Sequence, residues 1–223
     1  MNKLQVLTLL GIFGSLLLYA GDMILYYEPV SGLDFNSTLK MSTVSMNRLI
    51  IGGLMGPISS VFSLAACYML FLIFRPYNKV TAGVLGISLG VFFIFLGTYH
   101  ALFANLGIAG RLPETFREEQ ILLVESYLGV AYYLVYIPLI IWTLLLFYFV
   151  ILKKTTFPGW LLVLTPTLTT LLILLIKDYI PYPLGAITYG GWINLSFILF
   201  LIICFILITK GRIIHDSPSN SRE

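Results

Sequence analysis

The chain has 223 residues, of which 59% are hydrophobic and 10% charged, with a net charge of +3 and a mean hydropathy of +0.96. A soluble domain carries about 25% charged residues, and one core of this size could not hide sixteen Phe, fourteen Tyr and the long apolar runs, so a soluble globular protein is excluded. The positive charges sit at loop ends and form no basic stripe, which argues against a nucleic-acid partner.

Met1-Asn2-Lys3 before an apolar run has the look of a secretory signal peptide. The run Leu4–Tyr27, however, exceeds a signal core of roughly 7–15 residues and reaches the about 20 needed to cross a bilayer. It reads as a retained first helix. Five more apolar segments follow, Leu49–Phe74, Val80–Gly107, Ile121–Leu152, Phe157–Ile176 and Ile187–Thr209. Lipid forces every backbone polar group to be paired within a span, so these are expected as helices, and none alternates in polarity like a barrel strand. The expectation is an all-α polytopic membrane protein, six transmembrane helices in one bundle over 1–212, with a short polar tail at 213–223.

The positive-inside rule gives the direction. With the N-terminus inside, the inner segments hold eight basic residues (Lys3, Arg75, Lys79, Lys153, Lys154, Lys210, Arg212, Arg222) and the outer segments five (Lys40, Arg48, Arg111, Arg117, Lys177). Both termini are therefore expected in the cytoplasm, in a plasma membrane. The outer loop Glu28–Arg48 is the longest connection, and its Asn36-Ser37-Thr38 triplet fits a glycosylation acceptor only in a eukaryotic secretory setting.

Small residues let membrane helices approach closely. Gly11 and Ser15, Gly52, Gly56 and Ser60, and Gly86, Gly90, Gly97 and Ala101 form such faces on the first three spans. They suit packing within one bundle; a homo-oligomer through one of them is the alternative. Pro57, Pro138 and Pro166 lie inside spans and predict kinks, with Thr165, Thr167, Thr169 and Thr170 placed to bond backbone that Pro166 frees.

Ionisable residues inside a membrane point to function by default. Asp22, His100 and Glu125 come from three spans and fall at one depth, roughly 6–11 Å below the outer boundary at 1.5 Å per residue. They are the candidate acid–base residues. Tyr26 is one turn above Asp22. Glu125, Tyr132, Tyr133 and Tyr136 share a stripe of the fourth span. Arg48, Asn105, Trp192 and Asn194 lie near the same level, and together these residues suggest a polar pocket opening outward for a small amphipathic or lipid-like ligand. Each also has a plainer reading: Asp22 paired with Arg48 or Lys177, Glu125 reaching water, Tyr and Trp forming an interfacial belt, His100 a satisfied interior histidine.

One His and two carboxylates do not make a usual metal set, and the other histidine, His215, lies in the tail. Cys67 and Cys204 have no zinc or redox spacing, and no phosphate loop, dinucleotide fingerprint or HExxH motif occurs, so no metal or cofactor is implied. No nucleophile stands out, since Ser126 follows Glu125 but points elsewhere. A small proton-coupled transporter and a non-catalytic membrane scaffold remain as alternatives.

The segments Gly21-Asp22-Met23-Ile24-Leu25-Tyr26, Arg48-Leu-Ile-Ile-Gly-Gly-Leu-Met-Gly-Pro57 and His100-Ala101-Leu102-Phe103 resemble a bacterial family of small multispan membrane proteins labelled as a domain of unknown function. The resemblance covers most of the chain. It implies an integral membrane protein, supplies no reaction, and falls on Asp22, Arg48 and His100.

Overall fold

The computed structural model describes residues 1–27, 41–152, 155–176, 179–181 and 184–213, apart from the side chains of Tyr26, Ala186 and Tyr189. The described residues contain helices and no strand. The helices are α1 (Lys3–Tyr26), α2 (Met46–Phe74), α3 (Lys79–Ala109), α4 (Glu114–Phe147, continued by a π-helical turn Tyr148–Leu152), a 3-10 helix Gly159–Leu164, α5 (Pro166–Ile176) and α6 (Leu184–Thr209). Five of them, α1, α2, α3, α4 and α6, are long and apolar enough to cross a membrane. The chain is an integral membrane protein.

Local sequence accounts for several of the helix ends. Asn2 starts α1 with a capping box, its side chain accepting from Gln5 N while the Gln5 side chain accepts from Asn2 N. Ser45 and Asn78 cap α2 and α3 through Arg48 N and Thr81 N. Pro57 and Pro138 lie inside unbroken helices. Pro166 does not: it has no N–H to donate and drives the residue before it out of the helical region. Thr165 is extended (ψ 141°), and the fifth apolar segment becomes a 3-10 turn followed by an 11-residue helix. Leu162 O, which a helical residue 166 would bond, accepts from Thr165 N (3.1 Å) and Thr165 Oγ1 (2.8 Å) instead.

Polar contacts mark the two ends of the bundle. At the end holding the N-terminus, Lys3 Nζ donates to Tyr68 OH, Gln5 Nε2 to Thr209 Oγ1, and Thr156 N to Tyr77 OH. At the far end, Arg111 Nε donates to Ser42 O, and Tyr19 OH donates to Ile187 O. The helices α1 to α4 therefore alternate in direction, and α6 runs antiparallel to α1.

Packing is tightest between α1 and α2 and between α2 and α3. A Cβ on Gly56 would lie 2.5 Å from Gly97 O, and one on Gly97 would lie 2.6 Å from Gly56 O, so only glycine allows this approach. Ser60 Oγ then crosses to Phe93 O at 2.7 Å. These small-residue faces are filled by neighbours within the bundle. Toward the N-terminal end an aromatic core forms, with Phe74 and Phe149 stacked at 4.8 Å and Trp142 edge-on to Phe200 at 5.8 Å. Toward the far end a smaller cluster holds Leu25, Met41, Val44, Leu49, Ala104, Leu106 and Leu128.

Candidate functional site

Asp22 lies one turn before the end of α1, His100 nine residues before the end of α3, and Asn194 in the first half of α6. All three side chains point inward and are buried, with residue exposures of 7%, 5% and 3%. Asp22 Oδ1 is 3.0 Å from His100 Nδ1, and Asp22 Oδ2 accepts from Asn194 Nδ2 at 2.6 Å. His100 Nε2 faces Gly52 O on α2 at 2.9 Å. Four helices thus meet at one imidazole–carboxylate pair.

Glycines make the approach feasible. A Cβ on Gly21 would fall 2.8 Å from His100 Nε2 and 3.1 Å from Gly52 O. On α6, Gly191 has non-helical backbone (φ −132°, ψ 21°), and a Cβ there would strike the Tyr19 ring and lie 3.2 Å from Asp22 Oδ2. Tyr19 OH donates to Ile187 O, the carbonyl an unbroken helix would offer to residue 191. The kink, the tyrosine and the carboxylate form one packing unit.

The donor arrangement counts protons. A carbonyl only accepts, so the hydrogen between His100 and Gly52 O is on Nε2. Nδ1 faces a carboxylate oxygen, and a hydrogen bond there needs a second proton, on Nδ1 or on Asp22. Either placement leaves the pair with zero net charge. Such a pair can exchange a proton with a bound group without leaving an unpaired ion.

A cavity of about 320 Å³ opens beside the pair. Asp22, His100 and Asn194 form its polar end, and Trp192 adjoins them. Its walls include Leu18 of α1, Tyr99 of α3, Tyr132 and Val135 of α4 and Thr170 and Leu174 of α5, the Tyr99 and Tyr132 rings lying 5.7 Å apart. Tyr136 OH donates to Tyr132 OH at 2.7 Å. Among the described residues no three His, Cys, Asp or Glu side chains form a metal-ligand group.

Of the residues singled out in the sequence, the structure brings Asp22, His100, Tyr132, Tyr136, Trp192 and Asn194 to this cavity. Four stand elsewhere. Arg48 is no partner of Asp22: from the first turn of α2 its Nε donates to Ile24 O and its Nη2 to Tyr27 O, both at 2.8 Å, satisfying carbonyls at the end of α1. Glu125 is exposed and outside the lining; it shares the stripe of Tyr132 but sits seven residues, roughly 10 Å, farther along α4. Tyr133 is 74% exposed, turned about 100° from Tyr132. Asn105 is exposed at the far end of α3. The Tyr26 side chain, Lys177, Asp178 and His215 lie outside the described residues. Sequence reasoning missed Tyr19, Tyr99 and Gly191 and gave Gly52 a packing role alone; a Gly190-Gly191 pair opening an apolar run was the available signal for Gly191.

The fold and site define a helical multispan membrane protein with a buried, charge-balanced Asp–His–Asn cluster beside an aromatic cavity. The chain belongs to the family of unknown function DUF6796, whose sequence profile matches residues 1–211. No curated protein and no solved structure matches it.

Proposed function

We propose that this protein binds a small amphipathic or lipid-like molecule in a pocket facing the outer half of a plasma membrane, with Asp22 and His100 available for acid–base work on the ligand's polar end. The carrying observation is the buried Asp22–His100–Asn194 cluster at the end of a cavity otherwise walled by aromatic and aliphatic side chains. A polar end and an apolar body are what an amphipathic ligand matches.

In this reading the chain crosses six times, with both termini cytoplasmic. The eight-to-five excess of basic residues favours that direction. The fifth of these crossings is the 3-10 helix with α5: their rises add to roughly 28 Å against a hydrocarbon core of about 30 Å. The bonds Thr156–Tyr77 and Tyr19–Ile187, at opposite ends of the bundle, support a crossing by the chain between them.

The test is native mass spectrometry of the full chain purified in mild detergent, comparing wild type with Asp22→Asn/His100→Ala. A co-purifying molecule held by wild type and lost from the variant supports the pocket. Identical spectra without a bound species favour a scaffold. A second reading, a small proton-coupled transporter, gains from the two interrupted helices beside the site, α5 behind its 3-10 turn and α6 at Gly191, since transporter sites often use broken helices. It predicts that proteoliposomes lose a pH gradient on adding the identified ligand, and that Asp22→Asn abolishes the loss.

A further inference from the structure

We infer that the ligand's polar end is uncharged and hydroxyl-like and that the ligand reaches the site from the lipid, between α4 and α5; this rests on the pocket reading above. The first support is charge. Asp22 and His100 share one acidic proton between them and cancel, and the other residues lining the cavity carry no formal charge. A carboxylate, phosphate or ammonium head would enter a low-dielectric site with no counter-ion, which is strongly unfavourable. The second support is the set of polar groups left over. Asn194 uses its amide nitrogen on Asp22, so its carbonyl oxygen is left as an acceptor. Tyr99 and Trp192 line the same cavity with a hydroxyl and an indole N–H. A lining that offers both an acceptor and donors suits a group that both donates and accepts, as a hydroxyl does.

The third support is the path. Neighbouring long helices pack along much of their length, whereas α4 and α5 meet at few of the described residues, the hydrogen-bonded Thr143 and Thr167 hydroxyls joining them toward the N-terminal end of the bundle. Away from that bond, Tyr132 of α4 and Leu174 of α5 both line the cavity and are both exposed. A seam of this kind, at the depth of the hydrocarbon, admits lipid-soluble molecules. The chemical class is therefore a long-chain or polycyclic alcohol dissolved in the bilayer.

The experiment uses the full chain in phosphatidylcholine nanodiscs and three probes with one twelve-carbon chain: dodecanol, dodecanoate and dodecyltrimethylammonium. Adducts are counted by native mass spectrometry at equal mole fraction, and the pocket signal is the part that Asn194→Leu removes. Leu174→Trp, which blocks the seam from an exposed position, replaces that variant if it fails to fold. The expected result is at least tenfold higher occupancy by dodecanol than by either ion. Equal occupancy by the three probes, or preference for an ion by wild type, overturns the uncharged-head inference and leaves the pocket standing. No pocket-dependent adduct with any probe, together with no co-purifying molecule, overturns both.

Discussion

Asp22 and Gly191 are coupled through Tyr19. The tyrosine ring occupies the space a side chain at 191 would need, and its hydroxyl bonds the α6 backbone beside the kink. Gly191→Ala should therefore destabilise the protein by about 1–3 kcal/mol, the usual cost of overpacking, and lower the thermal midpoint. Gly129→Ala on α4, where an added Cβ meets nothing within 4 Å, should leave the midpoint unchanged or raise it slightly. An equal response of the two variants would contradict the assigned packing. At this scale Asp22 and His100 were legible because a charge in an apolar run has few innocent explanations. Glu125 looked equivalent by depth alone. Depth does not fix how far a long helix continues beyond the cavity, and α4 with its π-helical turn runs from Glu114 to Leu152.

The elements beside the cavity are the irregular ones. The apolar run Phe157–Ile176 predicts one helix, but Pro166 and the extended Thr165 divide it. Pro166→Ala restores an N–H four residues after Leu162 and should join the two pieces. Amide exchange across 162–170 should then slow by tenfold or more, and ligand retention should fall as Thr170 and Leu174 shift against Tyr132. Unchanged exchange would show that packing against α6, rather than the proline, causes the break. Sequence carried this expectation halfway: the threonines were recognised as partners for freed carbonyls, and Thr165 fills that role on Leu162 O. The kink at Gly191 was not anticipated, because two adjacent glycines at the head of a run equally suit plain close packing.

For the whole molecule, α1 to α4 alternate in direction and α6 runs antiparallel to α1; in the proposed six-crossing arrangement the 3-10 helix with α5 makes the crossing between α4 and α6. Hydropathy made the long helices readable, since each satisfies the length a bilayer demands. It could not reveal which helices pack closely and which meet at few residues, because that depends on the side chains each face presents to its neighbour. The six-crossing arrangement is testable with single cysteines in a Cys67→Ala/Cys204→Ala background, both native thiols being buried. A membrane-impermeant maleimide applied to intact cells should label Glu114→Cys and Tyr179→Cys. Lys79→Cys should react only after permeabilisation. Labelling of Tyr179→Cys only after permeabilisation would mean that α5 does not cross.

The central claim is that His100 is held between Asp22 and Gly52 O in a site shared by four helices. With His215 replaced by Gln, His100 is the sole histidine, and ¹⁵N-histidine NMR of the full chain in nanodiscs reads its two ring nitrogens separately. The account predicts a hydrogen on Nε2 in both wild type and Asp22→Asn, and an Nδ1 signal that shifts strongly when Asp22 becomes Asn. Two nitrogens resembling free aqueous imidazole, unmoved by Asp22→Asn, would contradict it.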